Sequence, residues 1–260
     1  MRDFIVEITK AAGATALKYF GRLEPGDVFG KGSAKDLVSI ADRQVEQEII
    51  SAIRTRYPDH DIYGEESGKS LTGSRWCWII DPIDGTQSFV KHHPYFSVSV
   101  ALYRDGQPYL GCVYAPALDR LYLGIAGKGA YENGKPIRVS SCTELSDAAC
   151  ACGFSLLRFN QVHPTIDVFC AIAPQLRDLK RCGSAALDLC FVAAGIYDGY
   201  WELGLQPYDV AAGAMIAREA GARVCNLDGV EDCLSGQIVA APPQIAAKLL
   251  DLVRQHCQSA

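Results

Sequence analysis

Apolar residues recur at a helical period near the start of this chain and then contract into short strand-like runs. Residues 4–20 and 40–56 follow the helical pattern, the second with Val45, Ile49, Ile50 and Ile53 at helical spacing. Residues 96–103, 108–114, 120–125 and 129–132 are short β-rich runs broken by Asp-Gly, Pro and Gly, as in an antiparallel meander. After Val139 the pattern changes again. Strand-like runs at 148–152, 179–182, 200–203, 223–225 and 238–241 alternate with helical runs at 165–173, 185–194, 210–220 and 243–255, which is an α/β pattern. No Gly/Ser-rich or Pro-rich linker and no internal repeat marks the change near Ser140. Residues 1–139, helices plus antiparallel sheet, and 140–260, an α/β half, are therefore expected to pack as one unit with a site between them.

Two of the apolar runs end in acid. In WCWIIDPIDGTQSF the run predicts a buried strand whose carboxyl end emerges at Asp81-Pro82 into a loop, where Gly85 frees the backbone to turn. Asp81 and Asp84, with the Ile83 carbonyl between them, supply the all-oxygen set that magnesium prefers, and this points to phosphate chemistry. Upstream, a short strand at 61–63 runs into Gly64 and the pair Glu65-Glu66; downstream, Asp209 stands directly before the helical run 210–220. Each acid also has a plain reading. Asp81 and Asp84 suit a turn beside Pro82 and Gly85, Glu65-Glu66 a solvated surface pair, and Asp209 an N-cap.

Composition narrows the function classes. A chain of 260 residues, 49% hydrophobic and 21% charged, has ample material for a soluble core. A net charge of −5 and no Lys/Arg cluster argue against nucleic acid as a substrate. Residues 1–20 carry Asp3 and Glu7 among their apolar positions and read as an amphipathic helix rather than a signal peptide, and no apolar run approaches the ~18 residues of a membrane span. Eleven cysteines without CxxC pairing do not indicate zinc; they fit small reduced core residues in a cytoplasm. His92-His93 point different ways as sequence neighbours and are placed in a loop.

Taken together, GEES at 64–67, DPIDGT at 81–86 and PYDVAAG at 207–213, in this order, make the chain resemble the inositol monophosphatase family. KGSAKDLVSIAD at 31–42, Gly183-Ser184-Ala185-Ala186 and Glu202 extend the resemblance over essentially the whole chain. It implies a layered αβαβα sandwich of the inositol monophosphatase and fructose-1,6-bisphosphatase type, commonly a homodimer, and a lithium-sensitive, magnesium-dependent phosphate monoester hydrolase. By the family's pattern one magnesium is held by Glu65, Asp81 and the Ile83 carbonyl, a second by Asp81, Asp84 and Asp209, and a third, weaker one leans on Glu65 through water. The attacking water passes its proton towards Thr86, oriented by Asp42, with Glu65 as the competing base. For Asp42 the rival reading is structural, since Ser39-x-x-Asp42 resembles a capping box. The backbone amides of Gly85 and Thr86 bind the phosphate, and Gly183, Ser184, Ala185 and Glu202 line the substrate pocket, together with Asp84.

Glu202 is expected to accept hydrogen bonds from vicinal hydroxyls of a ring such as inositol, its rival reading being an edge-strand surface charge. Lys31 and its neighbours read as a mobile loop whose lysine approaches the bound anion, or as a solvated turn. Tyr208 stands where the family usually has Trp, and His92-His93 where it has a His-Gly type of turn. Neither departure removes a ligand. The expected substrate is inositol 1-phosphate, with histidinol phosphate next, then fructose 1,6-bisphosphate and adenosine 3',5'-bisphosphate; the remaining alternative is a regulatory or binding protein without turnover.

Overall fold

The computed structural model describes residues 1–30 and 37–257. The Lys31–Asp36 loop therefore lies outside the described residues. In chain order the helices are α1 (Arg2–Tyr19), α2 (Ile40–Arg56), α3 (Thr86–Val90), α4 (Thr165–Ile172), α5 (Ala185–Ala193), α6 (Pro207–Glu219) and α7 (Pro243–Cys257). The first strands are β1 (Val28–Gly30), β2 (Leu37–Ser39), β3 (Asp61–Gly64), β4 (Gly68–Ser70), β5 (Trp76–Asp84), β6 (Ser97–Arg104) and β7 (Gln107–Ala115). There follow β8 (Arg120–Ile125), β9 (Gly129–Glu132), β10 (Lys135–Ile137), β11 (Ala149–Cys152), β12 (Asp178–Lys180), β13 (Gly199–Leu203), β14 (Arg223–Cys225) and β15 (Gln237–Ala241).

An eight-stranded sheet runs β10-β9-β8-β7-β6-β5-β3-β4, and a five-stranded sheet runs β12-β11-β13-β15-β14. The strands β5 to β10 pair antiparallel throughout, joined by short turns except between β5 and β6, where α3 intervenes. Two of these turns, Asp105-Gly106 and Asn133-Gly134, have positive φ at both central residues, which matches the strand twist. The β3–β5 pair is parallel, and the five-stranded sheet is mixed, with β11 parallel to β12 and β13 but β15 antiparallel to β13.

Alternation along each strand sorts its side chains into separate layers. Trp78 and Ile80 of β5 join Ile5, Ile8, Val45 and Ile49 of α1 and α2, whereas Ile79 faces the opposite way, into a cluster built on α5 and α6. In the second sheet Tyr200 joins that same cluster, while Trp201 packs with Val168 of α4 and Leu249 of α7. The order is thus α1/α2, sheet, α5/α6, sheet, α4/α7, an αβαβα sandwich. The buried central pair explains why α5 is buried at every position from Ala185 to Ala193, with no polar face of its own.

The structure corrects the predicted end of β5. The strand does not stop at Asp81-Pro82 but continues to Asp84, with a register shift between Asp81, opposite Ser99, and Asp84, opposite Ser97. Three steps on β5 against two on β6 constitute a bulge, which lets a proline without an N–H sit inside a ladder. The helix after Gln206 also starts earlier than the apolar period indicates, at Pro207, a residue favoured in the first turn. The strands β1, β2, β4 and β10 are each three residues long, too short for an alternation to register in the pattern.

Candidate active site

The bulge sets the geometry of the site. Asp81, Asp84 and Asp209 offer carboxylate oxygens that all lie within 4.8 Å of one another, and all three side chains are buried. Asp81 and Asp84 come from the end of β5, and Asp209 from the first turn of α6, so the two halves of the chain meet here. Desolvation, then the charges of Glu65, Asp84 and Asp209, hold the Asp81 carboxyl well above its ordinary range; Glu65 is also hydrogen-bonded to it. Burial likewise pushes Asp84 up to about 6 and Asp209 well above the usual carboxylate value. The Asp81 Oδ1 atom is buried with no hydrogen-bond partner. A buried oxygen of that kind among like charges is costly unless a cation joins it. The residues therefore fit a hard divalent ion such as magnesium.

Two of the site's acids also cap the helices that carry them. Asp209 is not the N-cap; Gln206 is, and Asp209 closes a capping box as the third helical residue, its Oδ2 accepting from the Gln206 N–H at 2.6 Å. Asp42 does the same for α2, accepting from the Ser39 N–H at 2.8 Å and the Ser39 hydroxyl at 2.6 Å through Oδ2. Its Oδ1 faces Thr86, whose hydroxyl lies 3.2 Å away and 3.1 Å from the Ile83 carbonyl. Capping and site readings of Asp42 and Asp209 thus coexist. Desolvation, offset in part by the Ser39 bonds and reinforced by Glu65, raises Asp42 to about 7.

Asp84 is bound to the start of α5. It accepts from the Ser184 hydroxyl at 2.5 Å, the Ala186 N–H at 2.8 Å and the Ala185 N–H at 3.2 Å, an anion set at a helix N-terminus. Gly85 beside it has φ +94°, and a Cβ there would lie 3.1 Å from the Tyr95 carbonyl oxygen and 3.2 Å from that of Gly183. Packing of two loops from the two halves, as well as any approach of a ligand, therefore requires glycine.

A cavity of about 250 Å³ opens beside these groups, lined by Glu65, Gly85, Thr86, Ser88, Phe154, Arg158, Arg181 and Gly183 among others. A narrow cleft leads from it past Asp84, Ala185, Glu202 and Asp209. Glu202 stands on β13, the central strand of its sheet, which overturns the edge-strand alternative. Its Oε1 accepts from the Ser155 N–H at 2.8 Å and hydroxyl at 2.6 Å, and the Tyr200 hydroxyl donates to Oε2. Little acceptor capacity is left. The expectation of a vicinal hydroxyl pair reduces to about one further donor at Oε2, taking two lone-pair sites per oxygen.

Sequence reasoning passed over three groups. Arg158 and Arg181 line both the cavity and the cleft, and the charge of Arg158 lowers the carboxyls of Asp84 and Asp209. Nothing in the local pattern marks Arg158, whereas Arg181 stands two residues before Gly183, close enough to be noticed. Glu46 on α2 is buried and accepts from the backbone of Glu66 and Ser67. Its signal was a charge in line with Asp42, one helical turn on. His92 and His93 fall in the turn after α3 and are not among the residues lining the cavity, and none of the eleven cysteines is paired.

Fold and site together define the class: a layered sandwich with a cluster of buried carboxylates able to hold a metal ion. The chain belongs to the inositol monophosphatase family, whose model matches residues 1–258. It is 38% identical over 262 residues to the Nus factor SuhB of Vibrio cholerae, spanning 100% of this chain and 98% of that protein. It is also 38% identical over 249 residues to the inositol-1-monophosphatase of a Synechocystis species, covering 95% of this chain and 86% of that one. The crystal structure of extragenic suppressor protein suhB from Bartonella henselae superposes with a TM-score of 0.92 at 33% identity, covering 97% and 98% of the two chains. None of the described helices is long and apolar enough to cross a membrane.

Proposed function

We propose that this chain is a magnesium-dependent phosphate monoester hydrolase acting on a small phosphorylated polyol, inositol 1-phosphate foremost. The observation that carries the reading is the convergence of Asp81, Asp84 and Asp209 within 4.8 Å, with Asp81 Oδ1 buried and unpartnered beside the cavity. Magnesium would be held by Asp81, Asp84 and Asp209, with Glu65 and the Ile83 carbonyl completing the set, and would neutralise phosphoryl charge and acidify a water. The chain's own groups do the rest. Thr86 takes up a proton at its hydroxyl while handing its own to Asp42 Oδ1, whose pKa of about 7 suits a base near neutrality. Arg158 and Arg181 bring positive charge to the cavity wall and favour entry of an anion. Glu202 orients one hydroxyl of the alcohol portion.

Phosphate release from inositol 1-phosphate, histidinol phosphate, fructose 1,6-bisphosphate and adenosine 3',5'-bisphosphate, with and without magnesium, tests the reading. The highest kcat/KM is expected for inositol 1-phosphate, with no release in EDTA. Preference for histidinol phosphate would retain the site and replace the substrate; silence across the panel would overturn the hydrolase reading. Lithium inhibition, a cytoplasmic location and a homodimer belong to the same proposal.

The name Nus factor carried by the Vibrio relative supports a second reading, in which this fold serves as a Nus factor beside or instead of turnover. A variant without turnover that retained such a role would separate the two.

A further inference from the structure

Glu46 lies on α2 one turn beyond Asp42 and is 2% exposed, yet it reaches no substrate-lining position. Its carboxylate instead spans the three-residue turn between β3 and β4. Oε2 accepts from the Glu66 N–H at 2.9 Å and Oε1 from the Ser67 N–H at 2.7 Å. Two successive backbone N–H groups cradling one carboxylate form an anion nest, here filled by a side chain. On the other side of the turn, the Glu65 N–H donates to the Ile80 carbonyl at 3.1 Å, next to Asp81. Glu65 is thus clamped between β5 and α2. Gly64 completes the fit, because a Cβ there would stand 2.7 Å from Glu46 Oε2 and 2.6 Å from the Ser67 hydroxyl.

A carboxylate buried near Glu65 and Glu66 is an unfavourable choice on charge alone. It is understandable if both of its oxygens are needed as acceptors, since the two amides present donors and an amide side chain could satisfy only one of them. α2 then carries two acids on one face: Asp42 holds Thr86, and Glu46 holds the turn that bears Glu65. We infer that Glu46 is a positioning residue for the metal site, fixing Glu65 at the distance from Asp81 that divalent-ion binding requires. The inference rests on the proposed role of Glu65 as a magnesium ligand.

Calorimetric titration of magnesium into the metal-free protein tests both, using Glu46→Gln, Glu65→Gln and the parent chain. Glu46→Gln keeps the shape but turns one acceptor into a donor facing an N–H. It is expected to weaken magnesium binding about 10- to 100-fold, the range for groups that orient a ligand without touching the ion. Turnover lost at low magnesium should return as magnesium is raised, with the KM for ester little changed. A merely structural role would lower the melting temperature and leave magnesium affinity within twofold of the parent, and that result overturns the inference. If Glu65→Gln itself leaves magnesium affinity unchanged, the ligand assignment fails and the inference falls with it. Where Glu46→Gln does not fold, Gly64→Ala pushes on the same carboxylate from the turn side; weakened binding supports the inference, and parent-like binding overturns it.

Discussion

Asp81, Asp84 and Asp209 each have to be ionised to hold a cation, and each is buried where ionisation is costly. Their raised pKa values mean that the metal-free folded chain binds more protons than the unfolded chain between pH ~4 and the folded values. The stability these groups contribute is therefore fully present below pH ~4 and is lost as pH rises through their raised folded values, about 6 for Asp84. Binding of a cation has the opposite sign, because it selects the ionised form. Magnesium is expected to release protons on binding and to bind more tightly as pH rises through about 6, the folded value of Asp84. Calorimetry in buffers of different ionisation heat reads the proton count, and a count of zero around that pH would refute the argument. At Asp209 the carboxylate can be removed without losing its cap, since the Asn oxygen still accepts from Gln206. Asp209→Asn should cut turnover by at least ~100-fold while the melting temperature holds or rises, because one like charge leaves the cluster.

At the scale of elements, the site is a set of termini brought together: the bulged end of β5, the first turns of α2, α5 and α6, and the turn after β3. At α6 the local signal misled, since Asp209 read as the N-cap and Gln206 holds that place. The start of α2 was legible, because Ser39-x-x-Asp42 is a capping box readable within four residues. The bulge was not, since its register shift exists only relative to β6. Glu202 shows how one element depends on a residue of another. A Cβ on Gly153 would lie 1.8 Å from Glu202 Oε2, so Gly153→Ala must displace the carboxylate or the backbone. This variant is expected to lose about 1–3 kcal/mol of stability and to raise the KM for ester while leaving magnesium affinity near the parent value. Denaturant melts and steady-state kinetics measure the two effects, and an unchanged KM would remove Glu202 from the pocket.

For the whole molecule, the central helix layer ties both sheets into one core. Ile79, Tyr103 and Tyr122 of the first sheet and Tyr200 and Ile238 of the second belong to the cluster built on α5 and α6. Residues 1–139 expressed alone would expose one face of their sheet, and residues 140–260 would expose the other side of α5 and α6. Neither half is expected to show cooperative melting by circular dichroism, whereas co-expression of both should restore a fold; a cooperative transition in either half alone would contradict the shared core.

The amino-acid order by itself determined the helical and strand periods, the Ser39-x-x-Asp42 cap and the acids able to bind a hard cation, because each of these is read from residues within one or two turns of one another; the layered class was implied by the resemblance of the whole chain to a family. Only the tertiary structure decided which oxygens remain available. It took Asp84 to the start of α5, a hundred residues away in sequence, brought Ser155 onto Glu202, set Arg158 and Arg181 in the cavity wall, and put Glu46 under the Glu65 turn. Those contacts join segments far apart in sequence, and no local propensity encodes a distance across two sheets.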